Sequence, residues 1–483
     1  MELGSDTLAV LPEICVLGGA IVVLLLGSFL PRGRQALSRL LAVLALLASA
    51  TASAVGMTGP AMTVFEANYT VDAASGVARI VISLATVFVI VLGFSELAET
   101  PRESETYALL LLASLGAMVL AGAGDLLILI TGYLLASIPL YALIGMSRSP
   151  RAAEAALKTY LLGALLGITL LVGVTVLYGV GGTTAYVQLG RALASAPAAA
   201  VAAGLVGVLA GLMFKAGGVP GHFWVPDATQ AASTLVAAFL TTVPKVGALV
   251  AAYRLVDLIP ATTDAALLVG ILATAGMTLG NLAAFWQDDV RRLLGWSTVS
   301  QVGYLLLPVA VAGGSDLALP SLLLYLAGYA ATNLTAFAVV AALPHHRTLV
   351  DYRGVARIHP WLAGALVVSL LGLVGTPPTA VFVGKLTTLT AAWDGGFAWL
   401  AVIAVINSVA SLFYYLRWLA PMFARTPAVP RPQPMSNAAE AAAPSIDRRP
   451  WAAWSAMAGA VAVLILGVLA GGLLSIVGAP LAH

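Results

Sequence analysis

Apolar residues run along this chain in long, unbroken stretches separated by short polar turns. They show neither the two-residue alternation of a half-buried strand nor the one-sided stripe of a surface helix. About fourteen stretches reach the roughly 20 residues that a helix needs to cross a bilayer. Their expected limits are 8–30, 37–57, 74–97, 105–122, 125–146, 154–179, 197–216, 233–257, 265–286, 293–313, 319–342, 360–391, 397–423 and 452–477. Continuous apolarity implies helices, because a membrane barrel alternates lipid-facing and lumen-facing positions. The expected fold class is an all-α polytopic membrane protein.

Composition sharpens this reading. The chain is 60% hydrophobic and 9% charged, against about 25% charged residues in soluble domains. A net charge of +2 gives no basic patch for nucleic acid, and a single cysteine, Cys15, excludes an internal disulfide. No basic segment precedes the first apolar stretch, and Arg32 and Arg34 follow it, so it reads as a retained span and not a cleaved signal.

Loop arginines set the expected orientation. With loops numbered alternately, one side holds Arg32, Arg34, Arg39, Arg102, Arg148, Arg151, Arg291, Arg292, Arg347, Arg353, Arg357, Arg425, Arg431, Arg448 and Arg449; the other holds Arg79, Arg191 and Arg254. The positive-inside rule puts the first side in the cytoplasm and both termini outside it, in a bacterial inner membrane. The Pro/Ala-rich stretch 424–451 reads as a cytoplasmic linker.

The lysines carry the candidate chemistry. There are four, Lys158, Lys215, Lys245 and Lys385, and each falls within an apolar span while the loop cations are arginine. A lysine at mid-membrane costs about 2.5–3.5 kcal/mol on insertion scales, so something must offset each one. One such lysine reads equally well as a snorkelling side chain. Four together, with none in a loop, point to protonation change, which lysine undergoes readily when desolvated and arginine does not.

Two of them adjoin helix interruptions. Lys215 precedes Gly217-Gly218-Val219-Pro220-Gly221-His222, and Lys385 follows Gly375-Thr376-Pro377-Pro378. Irregular backbone at membrane depth is tolerated beside protein or a wet cavity. Paired breaks five spans apart suggest two inverted five-helix repeats with broken helices 7 and 12, the bland alternative being two kinked helices. The expected division is 1–122 for helices 1–4, 105–257 for the first repeat (helices 4–8), 265–423 for the second (helices 9–13), 424–451 for the linker and 452–483 for helix 14. Glu154 lies one helical turn before Lys158 and shares its face, as an interfacial ion pair or as a modulator of its proton affinity from about 8 Å. His222 sits in the first break, where a structural hydrogen bond and a proton relay read equally well; His345, His346 and His359 read as loop or boundary residues. No metal-ligand spacing or nucleotide-binding loop is visible.

These residues together resemble a known family. Glu154 to Lys158, Phe214-Lys215 through Val219-Pro220, His222, Trp224 and Pro226-Asp227, Lys245, Asp289 to Ser297, Ser300 to Tyr304, Gly375 to Lys385 and Asn407 to Arg417 resemble the antiporter-like membrane subunits of bacterial NADH-quinone oxidoreductase, and among them subunit N. The resemblance implies fourteen helices, no redox centre, and protons crossing through two linked half-channels. It places Lys158 and Lys215 in the first, Lys245 at the centre and Lys385 in the second, with Glu154 on the path and His222, Asp227, Ser300 and Tyr304 as secondary residues. A lysine at position 385 favours subunit N over subunit M, where that site looks like glutamate. NADH, FMN, iron–sulfur clusters and quinone are then expected on partner subunits, with M-type and K-type membrane neighbours. The family's Glu-Leu-x-Ser-x-Pro pattern appears here as Leu134-Leu135-Ala136-Ser137-Ile138-Pro139, and its common histidine is Gln301. A multisubunit cation/proton antiporter shares this fold and stays open as an alternative, as do a divergent N-type paralogue with an altered proton path and a spacer that no longer conducts.

Overall fold

Without water to satisfy peptide groups, each span must close its hydrogen bonds within itself, and helices do so. The structure, a computed structural model, describes residues 2–31, 34–98, 100–425, 449–477 and 481. Most of the stretch 424–451, expected to be a linker, lies outside the described residues, as do Arg32, Arg431 and Arg448.

Among the described residues thirteen helices are long and apolar enough to cross a membrane. In chain order α1 to α6 are Leu11–Phe29, Ala36–Gly56, Ala73–Leu92, Glu103–Gly122, Leu126–Gly145 and Pro150–Gly181. Helix α7 is Ala198–Ala216, followed across a break by the short helix Trp224–Ala231. Next come α8 (Thr234–Asp257), α9 (Ala265–Ala284), α10 (Val290–Ala310) and α11 (Ala318–Ala342). The twelfth span is two pieces, α12a (Pro360–Val374) and α12b (Ala380–Asp394), before α13 (Ala398–Phe423) and α14 (Pro450–Val468). Among the described residues the broken span, counted once, adds a fourteenth candidate to these thirteen, in line with the apolar pattern. A small antiparallel hairpin, β1 (Met62–Val64) and β2 (Tyr69–Val71), joins α2 to α3.

Local chemistry sets the helix limits. Asp72, Asp125, Ser149, Ser233 and Asp289 accept from amides of the first turns of α3, α5, α6, α8 and α10, satisfying donors that a helix start leaves orphaned. Gly217 and Gly375 close α7 and α12a in the left-handed conformation, at φ 76° and 92°, which suits glycine. The peptide bonds Val219–Pro220 and Pro377–Pro378, one in each break, are cis.

Helix α8 is buried along its whole apolar length, α10 and α11 nearly so, and α1, α2 and α14 are the most exposed. Close approach at small residues allows this. A Cβ on Gly247 of α8 would lie 2.2 Å from the Ala117 carbonyl oxygen of α4, so only hydrogen fits there.

Several arginines expected in loops lie in helices: Arg39, Arg151, Arg291 and Arg292 fall within the first four residues of α2, α6 and α10. Arg79 and Arg254 depart furthest, buried inside α3 and α8 at 2% and 5% exposure. Arg79 Nε donates to Glu13 of α1 at 2.7 Å, and Arg254 Nη2 to Asp72 at 2.6 Å. Carboxylates 66 and 182 positions away in the chain make these burials tolerable, and alternating the loops could not reveal them.

Candidate functional site

The four lysines fall into two environments. Lys158 is two turns into α6 and its side chain is half exposed. Its ammonium pairs with Glu154 at 2.6 Å and with Asp227 at 3.3 Å. Asp227 in turn accepts from Arg292 at 2.6 Å. This ionic chain links α6, the short helix after α7, and α10. Glu154 therefore touches Lys158 directly, closer than the 8 Å separation expected for a remote modulator, and it is spent there and not on Lys215.

The other three lysines are buried, at 0%, 0% and 6% exposure for Lys215, Lys245 and Lys385. Among the described residues none of the three has a carboxylate within ion-pair distance. Neutral oxygens take the role. Lys215 Nζ donates to Ser137 Oγ at 2.5 Å and lies 5.2 Å from the Tyr133 ring. Lys245 Nζ donates to the Leu240 carbonyl at 2.7 Å, 5.0 Å from the Trp224 ring. Lys385 Nζ donates to the carbonyls of Val374 at 2.9 Å and Leu373 at 3.3 Å, and to Ser408 Oγ at 3.3 Å. The ring of Tyr304 stands 3.9 Å from it. Hydrogen bonds to a charged group are worth about 1.5–3 kcal/mol each, and facing aromatic rings add cation–π attraction. Such contacts offset burial without neutralising the charge.

Polar side chains of α8, α10 and α11 bond one another, and one of them reaches an oxygen that Lys385 shares. Asn333 of α11 donates to Thr241 and Thr242 of α8, each at 2.9 Å. Tyr329 Oη bonds the Thr241 carbonyl and Thr298 Oγ1. One turn along α10, Gln301 accepts from Tyr325 at 2.6 Å and donates to the Leu373 carbonyl at 2.8 Å, an oxygen that Lys385 also contacts. Beside these side chains Ser300 donates to Asn281, which bonds Asn407 and Tyr414.

Of the secondary residues, Asp227 belongs to the surface ionic chain, Tyr304 to Lys385, and Ser300 to the asparagine cluster. His222 is brought to none of the lysines: its ring packs against Phe223 and Trp296, at 4.1 and 5.7 Å between centroids, and its buried Nδ1 has no hydrogen-bond partner. Leu134 is half exposed on the outer face of α5, while Ser137, three residues on, reaches Lys215. Ser137, Tyr133, Asn333, Tyr325 and Tyr329 escaped the sequence reading. Their signal was faint: single polar residues in apolar spans, whose facing needs the packed structure.

A polytopic helical bundle with unpaired lysines beside broken helices defines a class of ion-translocating membrane subunit. The family described as NADH:quinone oxidoreductase/Mrp antiporter, transmembrane, matches residues 123–411. A NADH-quinone oxidoreductase subunit N of a Mycobacterium species (strain JLS) is 56% identical over 459 residues, 95% of this chain and 96% of that one. A subunit N 1 from Streptomyces griseus is 52% identical over 481 residues, 99% of each chain. Among solved structures, a chain of respiratory complex I from Thermus thermophilus with bound aureothin superposes with a TM-score of 0.78 at 30% identity, over 96% of this chain and 98% of that one. The chain belongs to this antiporter-like family, in the subunit N group of the NADH-quinone oxidoreductases.

Proposed function

We propose that protons cross this subunit by way of Lys158, Lys215, Lys245 and Lys385, with Glu154 on the path. The protein is a multi-pass, antiporter-like membrane-arm subunit of a proton-translocating NADH-quinone oxidoreductase. One observation carries the lysine assignment: three buried ammonium groups are held by neutral oxygens and aromatic faces, with no carboxylate among the described residues. A cation solvated this way releases its proton without breaking an ion pair and regains it without finding a new partner.

The order of transfer follows the geometry. Lys158, in its exposed ionic chain with Glu154, Asp227 and Arg292, exchanges protons at the surface. Lys215 lies at the end of α7 where the first break begins, and Lys245 of α8 lies against Gly217 of that break, so the proton passes between them there. The hydroxyls and amide of Tyr329, Thr298, Gln301 and Tyr325 lead on to Lys385. Helices 4–8 and 9–13 form the two repeats, residues 105–257 and 265–423, each with its break.

Other membrane subunits are its partners, an M-type and a K-type neighbour being the reading adopted. NADH, FMN, iron–sulfur clusters and quinone belong to partner subunits of the complex. Cytoplasmic placement of the arginine-rich side, with both termini extracytoplasmic, gains support from the burial of Arg79 and Arg254: of the three arginines assigned to the opposite side, Arg191, on the short helix Tyr186–Leu193, is then the one exposed. The test is NADH-driven acidification of vesicles carrying the assembled Lys385→Met complex. Loss of pumping is expected; wild-type pumping would refute the assignment.

A further inference from the structure

The carbonyls that hold Lys245 and Lys385 are both free of helix bonds, for different reasons. In a helix the carbonyl of residue i accepts from the amide of residue i+4. For Leu240 that residue is Pro244, inside α8, and proline has no amide hydrogen. Leu373 and Val374 are the last residues of α12a, closed by left-handed Gly375, and a helix end leaves its last carbonyls without an intrahelical partner. Each of them accepts from a lysine, at 2.7 Å for Leu240, 3.3 Å for Leu373 and 2.9 Å for Val374.

The space beside each lysine is kept clear in a matching way. A Cβ on Gly217 would lie 3.3 Å from Lys245 Nζ, and one on Gly375 would lie 2.9 Å from Lys385 Cδ. A left-handed glycine at the end of a broken helix thus lets each lysine lie against backbone. The last carbonyls of α12a also carry the negative end of that helix dipole toward Lys385.

The geometry points to Pro244 as a positioning residue for proton transfer: by lacking an amide hydrogen it leaves the Leu240 carbonyl free for Lys245, in place of a carboxylate. This rests on the lysine pathway given above. Returning an amide hydrogen at position 244 lets the helix reclaim the Leu240 carbonyl and leaves the Lys245 ammonium without its acceptor. Pro421, inside α13, is the control: among the described residues no lysine bonds the Arg417 carbonyl four residues before it.

The experiment compares Pro244→Ala, Pro421→Ala and Lys245→Met in the whole complex. NADH oxidation and vesicle acidification are followed between pH 6 and 9. Pro244→Ala is expected to lower protons pumped per NADH about fivefold and to move the pH profile of pumping by about half a unit. Pro421→Ala should do neither; a loss of helix shape alone would scale the profile without moving it. Unchanged pumping and profile in Pro244→Ala, or the same effect from Pro421→Ala, overturns the inference. So does failure of Pro244→Ala to assemble beside an assembled Pro421→Ala, which assigns the proline to folding. If Lys245→Met pumps normally, the lysine pathway itself fails; if it loses pumping while Pro244→Ala keeps it, only this inference falls.

Discussion

Two sets of buried cations lie in this molecule, and they are handled in opposite ways. Arg79 and Arg254 sit against Glu13 and Asp72 in short ion pairs at the helix ends near the β hairpin. Among the described residues Lys215, Lys245 and Lys385 meet hydroxyls, carbonyls and rings instead. An ion pair fixes a charge, because losing the proton from one partner strands the other in a poor dielectric. Neutral acceptors leave both protonation states accessible. The first arrangement ties helices together, and the second is the one proposed to move protons.

The largest effect should come from breaking an arginine pair. Glu13→Leu leaves the Arg79 guanidinium buried and uncompensated, at a cost of about 3–5 kcal/mol. The yield of assembled complex should collapse, as read on native gels. Lys215→Met and Lys385→Met invert that outcome: the complex assembles at wild-type yield while NADH-driven acidification falls more than about tenfold. Equal assembly losses for the arginine and lysine variants would erase the distinction.

Lys158 tests the boundary between the two sets. Its paired side chain is half exposed, and exposed ion pairs are worth about 0–1 kcal/mol. Lys158→Met should therefore lower pumping by a few-fold at most and leave assembly intact. Leu134→Glu should matter less still, keeping more than about half of wild-type pumping, since position 134 faces outward on α5 and Ser137 already holds Lys215. Complete loss of acidification in an assembled Leu134→Glu complex would contradict that.

The smallest effect concerns a carboxylate outside the spans. Asp351, in the loop between α11 and α12a, accepts from the amides of Arg347 and Thr348 at 2.9 and 2.7 Å. The Thr348 amide foremost holds its carboxyl below the usual carboxylate value. The loop's added stability is then complete at neutral pH and is lost as pH falls through the lowered pKa. Amide exchange at Arg347 and Thr348 should quicken on acidification, and Asp351→Asn should remove that pH dependence.

Much of the fold was legible in the sequence because a bilayer imposes a simple demand. Fourteen apolar stretches became thirteen long helices and one divided span, and Pro377 and Pro378 marked the division beforehand. The lysines stood out because their cost in an apolar span needs no neighbour to be recognised. Arg79 and Arg254 misled, since a single charge near the end of a span reads like a loop residue until its carboxylate is found. Glu154 was placed on the right helix face, and only coordinates showed contact with both Lys158 and Asp227.

Apolar run length, the choice of lysine inside the spans, and the Gly/Pro interruptions belong to the sequence alone, since each follows from local chemistry against a uniform solvent. What surrounds each lysine was decided by packing. Ser137 reaches Lys215 across 78 positions, and Gln301 meets the Leu373 carbonyl across 72. Those meetings depend on which faces of α5, α7, α10 and α12a turn toward each other. In a bilayer that is settled by close packing of small residues, since lipid is as apolar as the side chains and exerts no pull of its own.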